Sequence, residues 1–481
     1  MPLKRYNRIE MNNKQQKNTG FAVALILLTA FLLPGRVQAQ PVNNFSVKQA
    51  VDYALKNAVA VRNALIDYKI QQQTNREITA MAFPQISGSV SANHFPNVAV
   101  QSFPNFIAQA TYGVLEKEGV KDANGNPIIS PGDFGIVQAQ FGTKYSANGG
   151  IDISQLLFDG QVFVGLQARS AALDFAKKQT AVTQEMINVN VQKIYYQLVV
   201  GERQKTSIDA NINRFEKLLK DTKEIFNQGF AEKLDVDKVS VQLNNLVTEK
   251  LKVENQLAAG NASLKFLMNM PQVETLMLTD TLAEDELKAD LMDQSFNYAD
   301  RKEFQLLSVG KKLNEYNVRR YKLSYLPTLA LYGNYYKNAQ RNQFDFFSKG
   351  PWFTSSLIGM KLSVPIFDGF AKASRVSKAK LELEKTNNNM EQLKASIDND
   401  VAQARLKITS ALITMDSQKK NMELAEKVYN ATKLKYEQGL GSNQEIYNSQ
   451  TELKVAQNNY YSALYDAIIA RIDFLKATGK L

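Results

Sequence analysis

His94 is the single histidine of this chain, and cysteine is absent. The absence of cysteine excludes thiol nucleophiles, disulfides and Cys-based zinc sites, and a lone histidine argues against His-dependent metal sites and a Ser-His-Asp triad. Carboxylates are then the main acid–base groups left. A pair such as Asp235 and Asp237 supplies both partners in principle. No nucleophile, base or metal set converges with it, and the pair reads more simply as a solvated helical tip. Asp152 and Lys361 occupy the polar phase of alternating segments and offer charge facing a lumen rather than catalysis. These residue types assign no catalytic residue, no metal site and no cofactor, so this is not the pattern of an enzyme.

Charged groups of that kind must be carried by longer elements, and the first of these is a transit device. Lys4, Arg5, Arg8, Lys14, Lys17 and Arg36 stand against Glu10 in residues 1–39. Phe21 to Leu33 is apolar except for Thr29, Pro34 and Gly35 end it, and Val37-Gln38-Ala39 offers small residues for cleavage. This order is that of a secretory signal peptide over 1–39, with the mature chain starting near Gln40 outside the cytoplasm. The net charge of +11 thereby falls to a mild excess on the rest, with no basic block that argues for nucleic acid. No later segment has 18 consecutive apolar residues. Entry into a membrane would therefore require β-strands closed into a barrel.

Proline placement divides what remains. Residues 42–83, 132–326 (broken only by Pro271) and 366–481 lack proline and can hold long helices. Ile208, Ile212, Phe215, Leu219, Thr222 and Phe226 follow one another at spacings of 4, 3, 4, 3 and 4, a coiled-coil seam. Period-two alternation marks strands elsewhere: Gln85 to Asn93, Ile151 and Ile153, Leu329 with Leu331 and Tyr335, and Ile358 to Val364 on even positions. Each is about the length a membrane-crossing strand requires.

These elements recur in order. Phe83-Pro84 matches Leu326-Pro327, Phe158-Asp159-Gly160 matches Phe367-Asp368-Gly369, and Gln228-Gly229 matches Gln438-Gly439. Such order implies a duplication. Residues 40–270 form a first repeat of helix, strands about 85–98 and 146–158, long helix, turn at 229 and helix. Residues 271–481 form a second, with strands about 328–340 and 354–366 and a turn at 439. The long helix from 161 to 228 would span about 100 Å. Four strands cannot close a barrel, so other copies of the chain must complete it. The expected fold is mainly α with a β-barrel part, in a homo-oligomer.

The paired Phe-Asp-Gly turns, the paired Gln-Gly turns and Ser363-Val364-Pro365-Ile366-Phe367-Asp368-Gly369 resemble the TolC-like outer-membrane efflux proteins of Gram-negative bacteria, over essentially all of 45–478. The resemblance implies a homotrimer with a twelve-stranded barrel in outer-membrane lipid and an α-barrel of long hairpins in the periplasm. It implies the exit duct of a tripartite efflux or type I-like secretion system. The partners would be a periplasmic adaptor (membrane fusion) protein and an inner-membrane pump of RND or ABC type. Carried over residue by residue, Gly229, Phe230, Ala231, Gly439, Leu440 and Gly441 would be adaptor-docking tips. Glu445 and Asn448 would ring the periplasmic gate, and Tyr436 with Asp235 would hold it shut. The family's basic residue two places after the second glycine is replaced by Gly441, which leaves its salt-linked lock without that partner.

Tyr332, Tyr335, Tyr336, Phe344, Phe346, Phe347 and Trp352 crowd the second strand pair and its loop. They read either as an interfacial girdle or as loop packing. The 99–145 loop is far longer than its partner at 340–353 and should be external. A secreted coiled-coil structural or adhesive protein without a pore remains open as a second reading. It explains the seams and the leader, but not four amphipathic strands.

Overall fold

The computed structural model describes residues 42–280, 295–348 and 350–481. The leader expected over 1–39 lies outside them. The chain divides into two compact units. One takes in the chain up to Ala58, Asn190–Glu284 and Lys420–Tyr465; the other takes in Val59–Val189, Asp285–Lys419 and Asp466–Leu481.

The first unit is built on helices. α1 (Val47–Asn57) starts at a Ser46 capping box completed by Gln49. The unit also holds the later part of α4 (Gly160–Asn227), α5 (Lys233–Met268), the end of α7 (Ala371–Glu437) and most of α8 (Asn443–Ala477). Four of them share one core. Ile208, Phe215 and Leu218 of α4 meet Val239, Leu246 and Val253 of α5, Tyr429 of α7, and Ile446 and Leu453 of α8. The sevenfold spacing of 239, 246 and 253 is the period at which one face of a helix returns to a neighbour. The expected seam is buried at Ile208, Phe215 and Thr222, while Phe226, next to the turn, is exposed. A short parallel ladder pairs β1 (Val42–Phe45) with β6 (Thr275–Leu278). Tyr195 fastens it: its hydroxyl donates to the Phe45 carbonyl at 2.9 Å and accepts from the Asp280 N–H at 3.3 Å.

The opening helix of the first repeat, expected within the proline-free 42–83, is two helices. Ala58 takes an extended backbone (φ −55, ψ 130) between α1 and α2 (Val59–Ala80), and its N–H still caps the Ala54 carbonyl. An alanine gives no sequence signal for such a break.

The second unit carries the sheet. β2 (Gln85–His94), β5 (Tyr145–Phe158), β7 (Thr328–Arg341) and β8 (Phe353–Ser363) form one antiparallel sheet in the order β2-β5-β7-β8. α6 (Lys302–Leu323) leads into β7. β2 ends at His94, short of the expected 98, and Pro96 follows two residues on. β8 ends at Ser363, short of 366, because Pro365 has no N–H to give a ladder. The long 99–145 loop is structured: β3 (Val100–Pro104) pairs with β4 (Ile136–Gln140), and α3 (Phe106–Lys117) lies between them in sequence.

Register settles what each face carries. Asp152 lies opposite Ser87 and Asn334, and Asn334 opposite Leu357, so one face is mostly polar. Ile86, Ile153 and Gly333 align with Ile358 on the other face, which also carries Val90, Ile151, Leu331, Met360 and Leu362. β2 and β8 are almost wholly exposed, and their outer edges carry no strand among the described residues. Below the sheet, Ile397, Val401, Ala404 and Ile408 of α7 pack on Ala470, Phe474 and Ala477 of α8.

Candidate functional site

The expected site residues collect at the two helix turns and on the sheet. At the first turn α4 ends, and Gly229 (φ +81) donates its N–H to Phe226 while the Phe230 N–H reaches Ile225. At the second, Gly439 (φ +74) donates to Tyr436 and Leu440 to Lys435. This double bond pattern with a left-handed residue is the Schellman ending, and glycine serves it because it lacks Cβ. Beyond each glycine, Phe230 (83% exposed) and Leu440 (72%) project into solvent. Gly229, Phe230, Ala231, Gly439, Leu440 and Gly441 therefore form two short protruding caps.

The gate residues lie just below. Glu445 accepts a hydrogen bond from Lys435 Nζ at 2.8 Å, which joins the first turn of α8 to the last turn of α7. The Lys435 bond holds the Glu445 carboxyl below the usual carboxylate range. Tyr436 donates from its hydroxyl to Asn443 Oδ1 at 2.7 Å, and burial pushes its own pKa up. Asn448 accepts from Gln444 Nε2 at 2.7 Å, and Gln444 Oε1 accepts from Lys238 of α5 at 3.4 Å. Asp235 takes the Glu232 N–H at 3.4 Å and lies 3.8 Å from Lys238. Tyr436 and Asp235 thus engage other partners within the chain. Glu445 and Asn448 line one groove of about 550 Å³ with Lys435, Leu424 and Val428.

Below the turns the two hairpins are bound to each other. Lys217 reaches Glu437 at 3.2 Å, Asn211 donates to Gln457 at 2.8 Å, and Arg214 sits 5.2 Å over the Tyr429 ring. Phe215, fully buried, meets the Tyr447 ring edge-on at 6.2 Å. Sequence reasoning missed Lys435 and Asn443. A signal existed for the first: a base in the last turn of one helix and an acid in the first turn of the next suit both helix ends.

On the sheet, Asp152 and Lys361 share the polar face but are not neighbours. Asp152 is opposite Asn334 and Lys361 opposite Ala330, on strands two apart, which separates them by roughly 16 Å. Asp152 instead accepts a hydrogen bond from the Tyr336 hydroxyl. The aromatic group also divides. Tyr332 and Tyr336 lie on the polar face with Asn334, and Tyr335 on the apolar face with Ile151. Phe344, Phe346 and Trp352 pack among themselves and against Tyr145 beside Arg341. Among the described residues no group of His, Asp or Glu is arranged to hold a metal ion. No described helix is long and apolar enough to cross a membrane.

The chain matches the model of the outer membrane efflux protein family over residues 308–480. It is 20% identical to the outer membrane protein TolC of Vibrio cholerae over 334 residues, covering 69% of this chain and 76% of that one. It is 20% identical over 329 residues to the alkaline protease secretion protein AprF of Pseudomonas aeruginosa, covering 66% and 67%. The solved structure of the Campylobacter jejuni CmeC outer membrane channel superposes with a TM-score of 0.69 at 15% identity, covering 90% of this chain and 85% of that one. None of these likenesses supports a coiled-coil protein without a pore.

Proposed function

We propose that this chain is a TolC-like outer-membrane efflux protein and serves as the exit duct of a tripartite efflux or secretion system. Three copies close a twelve-stranded barrel in the outer membrane, and their helices continue it as a periplasmic tube. The chain is a channel protein and not an enzyme. Transport through it is passive, with the energy coming from an inner-membrane pump of RND or ABC type joined through an adaptor.

The observation that carries this reading is the four-stranded sheet, polar on one face, apolar on the other and open at both edges. A lone sheet of that kind has no stable place in water or in lipid. Unpaired edge groups cost several kcal/mol each in hydrocarbon, so closure with further copies is the physical solution. Asp152, Asn334 and Lys361 then face the lumen, and Ile86, Val90, Ile358 and Met360 face lipid.

The turns take the remaining roles. Phe230, Ala231, Leu440 and Gly441 meet the adaptor, and the Lys435–Glu445 and Tyr436–Asn443 bonds hold the second hairpin in its resting form. Opening is an iris-like movement of these helix ends. The test is the mass of the protein extracted in mild detergent from purified outer membranes. A trimer of about 150 kDa plus detergent is expected. A soluble or monomeric product would remove the duct.

A further inference from the structure

Two hairpins build the sheet, and they share one register. Gln85 pairs with Ser154, Ile86 with Ile153 and Val90 with Gly149 in the first. Thr328 pairs with Ser363, Leu329 with Leu362 and Gly333 with Ile358 in the second. β2 therefore corresponds to β7 and β5 to β8, residue for residue. The seam between hairpins is β5 beside β7, with Ile153 opposite Gly333, Asp152 opposite Asn334 and Ser154 opposite Tyr332. Its counterpart would be β8 beside β2. One chain cannot make that pair, because the two strands are opposite edges of its sheet.

Resting on the reading that copies close a shared barrel, we propose that β8 pairs with β2 of the next copy in the register of the chain's own β5–β7 seam. Leu362 then lies opposite Val90, Lys361 opposite Ser91, and Ser363 opposite Ser89. Side-chain phase agrees. Leu362 and Val90 are apolar, exposed and on the same face of the sheet, and Lys361 and Ser91 are both on the polar face. A slip of one residue would set each against the wrong face. The ladder is also bounded on both sides by residues that cannot donate to it, Pro365 beyond Ser363 and Pro96 beyond His94.

The turn below the strands gives an independent argument. At the seam inside the chain, Gly160 sits tight against α6: a Cβ there would come within 2.8 Å of the Leu323 carbonyl oxygen. In that turn, Phe158-Asp159-Gly160, the glycine is buried beneath the chain that leads into β7, and Phe158 is 38% exposed. Its counterpart Phe367-Asp368-Gly369 is bare. Ile366 is 94% exposed, Phe367 76% and Phe370 72%. Phe370 is held at φ +66, a left-handed backbone that a bulky side chain seldom adopts unless its surroundings require it. The counterpart of Leu323 is Ala80, and beside it Met81 and Phe83 are exposed too. The same seam between copies sets Gly369 beside Ala80 of the next copy and brings Phe370 against Met81 and Phe83, covering them in part, as Phe158 and Leu326 are covered in part inside the chain.

The absence of cysteine makes the full-length protein a clean background for crosslinking in outer membranes. Directly opposed residues have Cα atoms about 4.5–5.5 Å apart, within disulfide reach. Partners shifted by two residues lie beyond about 7 Å. Leu362→Cys combined with Val90→Cys should give covalent dimers and trimers under copper–phenanthroline, at least about tenfold more than Leu362→Cys with Gly88→Cys or Ala92→Cys. Phe370→Cys with Phe83→Cys, bridged by a short bis-maleimide, tests the turn contact separately. If the detergent mass is trimeric but a shifted pair links instead, or no pair links, the register is overturned while the duct stands. A trimer without the 370–83 bridge overturns the turn contact. A monomeric mass with no crosslink overturns both the seam and the duct.

Discussion

Gly229 and Gly439 end their helices with the same two backbone bonds, and both are followed by an exposed apolar residue. What crosses the turns differs. Tyr436 reaches Asn443 and Lys435 reaches Glu445, so the second turn is tied from helix to helix. At the first, Asp235 bonds only within its own helix start, and among the described residues no side-chain bond joins the end of α4 to the start of α5. The lesson is that one backbone motif supports two mechanical roles. A glycine sets the reversal, and the side chains one turn away decide whether the hairpin is latched.

The largest change should come from the core beneath both turns. Phe215→Ala removes a fully buried ring and should destabilise the protein by about 3–5 kcal/mol. Hydrogen exchange should then rise near Gly229 and near Gly439 alike; a rise at one turn only would break the view that they share a foundation.

Next are the glycines. Gly229→Ala and Gly439→Ala each place a side chain at positive φ in open space, so the penalty is backbone strain alone, about 1 kcal/mol. Equal losses in thermal unfolding are expected. A difference of several-fold would mean that the two backbones are not equivalent.

Tyr436→Phe removes the hydroxyl that reaches Asn443 and should weaken the second turn by about 1 kcal/mol. In planar bilayers the channel should open more often. Asp235→Asn should leave conductance nearly unchanged, and an increase as large as that of Tyr436→Phe would remove the contrast between latched and unlatched turns.

The Lys435–Glu445 pair is exposed, so its effect should be the smallest and should fade in high salt. It sets a pH dependence with a definite sign. The folded Glu445 carboxyl titrates below its unfolded value of 4.5, so the bond is fully present above that value and is lost as pH falls through the lower folded one. Conductance should therefore rise on the acid side, and Glu445→Gln should abolish the Glu445 part of that rise. A Gln variant with the wild-type acid response would assign it to other groups.

Much of this was open to sequence reasoning because it is periodic. The alternation around Ile358, Met360 and Leu362 announces a strand with one apolar face, and the prolines at 84 and 327 mark where helix yields to strand. The break at Ala58 was not legible, since alanine suits a helix and only the local packing selects its extended backbone. Nor was the division of the aromatic group: Tyr335 and Tyr336 are adjacent in sequence and fall on opposite faces, while Phe346 is drawn into a cluster with Tyr145 and Ala339. Asp152 and Lys361 share the polar phase that the sequence shows, and only the strand order, which sets them two strands apart, leaves Asp152 to Tyr336.

By itself, the sequence determined the element types, the turns and the polar and apolar faces, because those follow from side-chain periods of two and three to four and from the backbone freedom of glycine and proline. Only the tertiary structure decided which distant groups meet. Lys435 with Glu445, Lys217 with Glu437 and Gly160 against Leu323 depend on how helices and strands lie side by side, and hydrogen bonds and close packing act over a few ångströms that no spacing along the chain encodes.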